Sequence, residues 1–316
     1  MATTTRDDWK VWSCDASVVV TTPADVAEAG TIVRDILAEV DEASSRFRAD
    51  SELTRRAADF VHGAEASPML AYLVGAALDA AHMTDGDVDP TLGIELARLG
   101  YDRDISALNT GPELAAASIA TSVVSRRSTW REIALRGTLL TIPASIQLDL
   151  GASAKAAAAD LAASRVASQL GCGTLVAIGG DIATSGPQPD EGWNVLVQDT
   201  DDDPSQQVLL AAGAAMATSS TQKRRWMSGG FLRHHILDPQ SGMPATLTWR
   251  SVTVAAPTCL EANALSTASI VRGFRAMEWL NGQKIGARFV DLQGRVVTTD
   301  DWPAPIATHE LTGGSR

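Results

Sequence analysis

Four short stretches place polar side chains at spacings that could do chemistry. In Leu148-Asp149-Leu150-Gly151-Ala152-Ser153-Ala154-Lys155, a strand-like run ends in a carboxylate and a glycine turn follows. A lysine then sits in the first turn of an alanine-rich helix. Free N–H groups at a helix start attract anions, and a lysine there opposes the helix dipole, so its presence suits a bound anion. The spacing is not that of a P-loop. The stretch Thr84-Asp85-Gly86-Asp87-Val88-Asp89-Pro90-Thr91 alternates three carboxylates. It lacks the later glycine and the bidentate glutamate of an EF-hand, so a turn with Asp89 or Thr91 capping the next helix is the simpler reading. Residues 204–237 hold Lys223, Arg224, Arg225 and Arg233 and no acidic residue, within a chain of net charge −12. They lead into His234-His235-Ile236-Leu237 and the turn composition Asp238-Pro239-Gln240-Ser241-Gly242. The histidine pair could supply a base or a metal ligand, or pack at a strand end. In Glu261-Ala262-Asn263-Ala264-Leu265-Ser266-Thr267, Asn263 and Thr267 share a helix face. Their neutral oxygens suit a hard cation such as Mg²⁺, with a polar helix–helix contact as the competing reading.

Hydrophobic periodicity supplies the elements that must hold these stretches. Residues 12–21 alternate as a strand. Pro23 opens a long helix to about Phe47, with Val26, Ile32, Ile36, Val40 and Ala43 at helical spacing. A second helix spans about 68–83. Short strands are expected at 130–134, 139–142 and 146–150, then an alanine-rich helix over 153–170. Residues 174–178 form a strand closed by Gly179-Gly180-Asp181, followed by strands at 181–185 and 193–198. Asp199, Asp201, Asp202 and Asp203 read as a solvated hairpin tip. Residues 207–211 and 214–218 read as a hairpin around Gly213. A strand at 252–256, a helix at 258–270 and a hairpin over 287–299 turning at Gln293-Gly294 complete the chain. The class is α+β, with a mixed, largely antiparallel β-sheet core and flanking helices. Residues 1–302 read as a single domain and 303–316 as a tail.

The 316 residues include 38 acidic and 26 basic side chains. That balance excludes a nucleic-acid binder, which needs clustered cations, and disfavours an anionic membrane surface. No apolar run is long enough for membrane insertion. Cys14, Cys172 and Cys259 form no CxxC pair and read as buried free thiols. The start, MATTTRDDWKVWS, has no apolar h-region, so a cytoplasmic location is expected.

The order and mutual spacing of these stretches resemble the FAD:protein FMN transferase (ApbE-like) family. The matching runs are SRFRADSEL (Ser45 to Leu53), DVDPTLG, LDLGASAK, VAIGGDI, MATSS, HILDPQSGMP and VTVAAPTCLEANALST. The resemblance implies the ApbE-like fold and an enzyme that binds FAD and Mg²⁺, cleaves the pyrophosphate, attaches FMN to a Thr hydroxyl of an acceptor protein and releases AMP. It implies that Phe47 stacks on the flavin, against the alternative of a core phenylalanine. It places Asp89, Pro90, Thr91, Asp149, Lys155 and Leu237 against FAD. It makes His235 the leading catalytic side chain, with Asp149 a second candidate base. It assigns the metal to the Ala152 carbonyl, Asn263, Ser266 and Thr267. The family usually carries Asp where this chain has Asn263, which removes one negative charge from the metal shell. An FAD pyrophosphatase and a non-catalytic FAD-binding protein are the alternatives.

Overall fold

The computed structural model describes residues 4–108 and 129–304. Of the expected tail, residues 305–316 lie outside the described residues. At the centre is an eight-stranded sheet whose strands lie side by side in chain order. They are Thr5–Val11, Cys14–Val20, Thr174–Ile178, Asp181–Ser185, Ala215–Ser220, Trp249–Ala256, Gly286–Asp291 and Val296–Thr298. Every pairing in it is antiparallel. The α+β expectation holds, and the first strand, residues 5–11, is an addition to it.

Period-two alternation divides the sheet into two faces. Val18, Val20, Val176 and Ile178 point toward the helices, while Val19, Leu175, Ala177 and Met216 point the other way. The helices Val26–Ser44, Ala154–Leu170 and Cys259–Arg272 cover the first face, and Pro68–Met83 packs on them. The first helix buries Ala29, Val33, Ile36, Leu37, Val40 and Ala43, a 3.6-residue stripe. It stops at Ser44, three residues earlier than the periodicity suggested, and so frees Arg46 and Phe47 to turn into a cleft. Ala156, Ala157, Ala158, Ala159, Ala162 and Ala163 are fully or almost fully buried, so Ala154–Leu170 lies close to sheet and helix neighbours alike. Gly171, at φ +67°, ends it in the left-handed conformation.

The second face is covered by a separate hairpin, Trp193–Val197 with Gln206–Leu210. This corrects the expected hairpin around Gly213. Residues 206–210 pair backward with 193–197, and Ala215–Ser220 joins the main sheet between Asp181–Ser185 and Trp249–Ala256. Burial decides the matter: Trp193, Val195, Val197, Val208 and Leu210 all face the sheet. Each contributes about 2 kcal/mol that a slipped register would forfeit. The loop inside this hairpin is not fully solvated either. The Asp199 and Asp203 side chains are only 1% exposed and meet Lys223 at 3.0 Å and Arg250 at 2.9 Å.

Two further expected strands differ. Trp130–Glu132 is a 3₁₀ turn, with the strand at Ala134–Arg136. Residues 146–150 join no sheet. Their backbone bonds run to another loop: Gly93 N donates to the Gln147 carbonyl at 3.1 Å and Asp149 N to the Pro90 carbonyl at 2.8 Å. Among the described residues no helix is long and apolar enough to cross a membrane.

Candidate active site

A cleft of about 690 Å³ opens at the end of the sheet marked by the turns at residues 12–13 and 179–180. One part of its wall is apolar and aromatic. Phe47, Leu92, Leu96, Tyr101 and Leu237 line it, with Trp226 behind them. The Tyr101 and Trp226 rings stack at 5.0 Å, and Phe47 tilts against Tyr101 at 5.5 Å. Phe47 is 39% exposed, which rules out the core reading and leaves an aromatic surface facing the cleft. The Arg46 guanidinium packs on both rings, 4.1 Å from the Phe47 centroid and 4.8 Å from that of Tyr101. Arg46 donates to Asp149 Oδ2 at 2.6 Å and to the Tyr101 carbonyl at 2.7 Å. Asp149 Oδ1 accepts from Gly151 N at 2.7 Å. Both carboxylate oxygens are therefore engaged, which anchors the side chain in place.

The rest of the wall is polar. Lys155 Nζ lies 3.7 Å from Asp181 Oδ2, and Asn263 Nδ2 donates to Asp181 Oδ1 at 2.9 Å. That bond fixes the amide orientation, because the reverse placement would set two oxygens against each other. Asn263 Oδ1 is thereby turned away from Asp181, buried and without a partner. Thr267, one helical turn on, shares its hydroxyl with Ser219 at 2.8 Å. The Gly179-Gly180 turn brings the backbone close. Gly179 has φ +64°, and a Cβ on Gly180 would stand 2.8 Å from the Thr218 carbonyl. His235 lines this part, with its Nδ1 buried and unpartnered. Burial, then the nearby Arg224 and Lys155 cations, push its pKa well below the ordinary histidine range, so the ring is neutral at pH 7. Burial also lowers His234, whose Nε2 meets the Ala245 carbonyl at 3.0 Å, a packing role. Such a cleft suits a ligand with a planar ring at one end and an anion at the other.

The ApbE family model matches residues 12–289. The chain belongs to the ApbE family. It is 28% identical over 224 residues to the FAD:protein FMN transferase of Treponema pallidum (strain Nichols), covering 64% of this chain and 59% of that protein, less than two thirds of its length. It is 28% identical over 262 residues to the FAD:protein FMN transferase of Vibrio cholerae serotype O1 (strain ATCC 39541 / Classical Ogawa 395 / O395), covering 79% and 75%. The fold is similar to that of the ApbE protein of Thermotoga maritima MSB8, with a TM-score of 0.77 at 23% identity over 94% of this chain and 97% of that one.

In this ApbE-family chain, Phe47, Asp89, Asp149, Ala152, Lys155, His235, Leu237, Asn263 and Thr267 all line one cleft. Pro90, Thr91 and Ser266 do not. Pro90 offers its carbonyl to Asp149 N, and Thr91 donates to Asp89 Oδ1 through both N (2.8 Å) and Oγ1 (2.6 Å). That is an Asx turn, and the Gly93–Arg98 helix has Leu92 at its N-cap, so the expected cap by Asp89 or Thr91 is not formed. Ser266 is fully buried, with its hydroxyl on the Asn263 carbonyl and Ser219 Oγ. Of the four cations in the acid-free window, Lys223 and Arg224 reach the cleft; Arg225 donates to the Thr221 carbonyl and Arg233 lies over Phe231. Cys14 is a partly exposed cleft residue rather than a buried thiol. The residue reading missed Arg46, Tyr101 and Asp181. Arg46 and Asp181 lay within stretches already singled out, but Tyr101 arrives by tertiary folding and carries no local signal.

The oxygen set can be tested against Mg²⁺. No group of three or more His, Cys, Asp or Glu is gathered for a metal among the described residues. The orphaned Asn263 Oδ1, beside Thr267 on the same helix face, fits a hard cation in donor type. It does so with neutral oxygens, and the nearby Asp181 carboxylate is already engaged by Asn263 Nδ2 and Lys155.

Proposed function

We propose that the chain is a Mg²⁺-dependent FAD:protein FMN transferase that modifies a Thr hydroxyl of a flavoprotein acceptor and releases AMP. The observation that carries this reading is the single cleft with an aromatic end at Phe47 and Tyr101 and a cationic, oxygen-lined end at Lys155, Arg224 and Asn263. FAD has that division. The similarity to the FAD:protein FMN transferases of Treponema pallidum and Vibrio cholerae supports the same assignment.

The isoalloxazine ring would lie against Phe47, and the pyrophosphate would reach the polar end. Asp89, seated by its Asx turn, and Leu237, packed on Tyr101 and Trp226, would complete the flavin pocket. The acceptor Thr oxygen forms a bond to the FMN phosphorus, and the bond from that phosphorus to the bridging oxygen breaks. AMP departs with the bridging oxygen. The Thr proton passes to His235, which is neutral and can accept it. Asp149, tied down by Arg46 and Gly151, holds the loop from which Lys155 springs. The Ala152 carbonyl, Asn263 Oδ1 and the Thr267 hydroxyl would hold Mg²⁺, which when bound supplies charge neutralisation on the pyrophosphate.

The test is to follow where the FMN goes. Incubation with FAD, Mg²⁺ and a flavoprotein acceptor should give AMP with FMN retained on protein after denaturation. Release of AMP with all FMN free, at the same rate with and without acceptor, would instead make the chain an FAD pyrophosphatase.

A further inference from the structure

We propose that Arg224 is the side chain through which the cleft recognises the pyrophosphate, and hence what separates FAD from unphosphorylated riboflavin. The inference rests on the FAD reading above and adds to it a residue that the motif resemblance did not assign.

Charge pairing carries the argument. Arg46, Lys155, Lys223, Arg250 and Arg272 each meet a carboxylate in this acidic chain. Arg224 meets none among the described residues, although it lines the cleft and is largely buried. A buried guanidinium with no carboxylate in direct contact is costly, and such a group is retained where a ligand provides the anion. Burial disfavours the cation, yet Tyr101, Cys14 and Asp181 outweigh it and the pKa is raised, so the charge persists.

The donors are also left open. Nη2 donates to the Trp12 carbonyl at 3.3 Å and to Cys14 Sγ at 3.2 Å. Neither Nε nor Nη1 meets a protein acceptor among the described residues, and neither is sealed from solvent. A guanidinium with one corner fixed and two donors free is arranged for phosphate oxygens, which accept such bonds in pairs.

Backbone conformation gives an independent observation. Arg224 has φ +51°, and the turn that holds its Nη2 has Trp12 at +49° and Ser13 at +58°. Non-glycine residues in the left-handed region cost roughly 1 kcal/mol or more each, and such outliers collect at binding sites. Trp12 and Ser13 owe theirs to the two-residue turn that joins Thr5–Val11 to Cys14–Val20, so Arg224 is the outlier that hairpin geometry does not explain. Arg224 also helps to keep His235 neutral, which places cation and base at the same end of the cleft.

The test compares FAD, ADP and riboflavin binding by the native chain, Arg224→Asn and Arg224→Lys. Asn tolerates a positive φ, so this variant is chosen to fold. Riboflavin affinity, which needs only the ring pocket, should change less than about threefold in both, while FAD and ADP affinity should fall roughly 30- to 100-fold in Arg224→Asn. Arg224→Lys, with charge but no fork, should fall between. FAD and riboflavin affinities dropping by one common factor, or FAD affinity unchanged, would overturn the proposal. ADP binding that is lost in Arg224→Asn, in a native chain that ignores riboflavin, would keep Arg224 as the phosphate site and remove the flavin reading instead. A native chain that binds neither FAD nor ADP overturns both.

Discussion

His235 shows what a side chain gains from its surroundings. Its neutrality follows from burial and two nearby cations, and no sequence pattern contains that information. The sign of the pH dependence follows. In the unfolded chain a histidine titrates near 6.5, while in the folded chain His234 and His235 both resist protonation. Above about pH 6.5 neither state binds the protons, and the stabilisation from the two buried neutral rings is complete. As pH falls, the unfolded chain takes protons that the folded chain refuses, and stability is lost. Urea midpoints should therefore fall between about pH 7 and 5, and the acid limb of the transfer rate should lie well below 6.5. His235→Ala should lower the rate by about 10²-fold at pH 7. Steady-state rates across that range check both statements; an acid limb at 6.5 or above, or an unchanged rate in His235→Ala, would reduce His235 to a packing residue. Its candidacy was legible from the HILDPQSG run, as that of Phe47 was from SRFR. Arg46 was not singled out, because an arginine packed on two rings and bonded to a carboxylate looks in sequence like any exposed arginine.

At the scale of elements, the site depends on one loop being pinned to another. The segment carrying Asp149 reads as a strand because it is apolar and alternating, but it pairs with residues 90–93 instead of a sheet. Gly93 permits this. A Cβ at position 93 would stand 2.6 Å from the Gln147 carbonyl, a backbone atom with no rotamer to adopt. Gly93→Ala should therefore push the two loops apart, costing about 1–3 kcal/mol of stability, and should weaken FAD binding through the displaced Asp149 and Lys155. Chemical denaturation with a parallel FAD titration checks this; a variant with native stability and affinity would show that the loops are not coupled. The regular elements were mostly legible. Residues 68–83, 174–178 and 181–185 fold as the periodicity suggests, because their burial patterns are local. The hairpin at 206–210 was misjudged because its partner is fixed by burial of Trp193 and Leu210 against a sheet assembled from distant strands.

Over the whole molecule, an antiparallel meander in chain order is interrupted by long excursions that supply the helices. The cleft collects residues from Trp12 to Thr267, so motifs scattered through the sequence become one site only when the sheet closes. That explains why the ordered motif set was readable while the pairing of Arg224 with the Trp12–Ser13 turn, 212 residues apart, was not. It also reconciles an acidic chain with an anionic ligand. Aspartates such as Asp89, Asp149 and Asp181 line the cleft too, so an anion must be met there by local cations, of which Arg224 touches no carboxylate among the described residues. The most direct measurement is the intact mass of a flavoprotein acceptor after incubation with this chain, FAD and Mg²⁺. The account predicts a gain of one FMN residue on a Thr, lost when that Thr is replaced by Val. Tight FAD binding with every acceptor left at its original mass would contradict it.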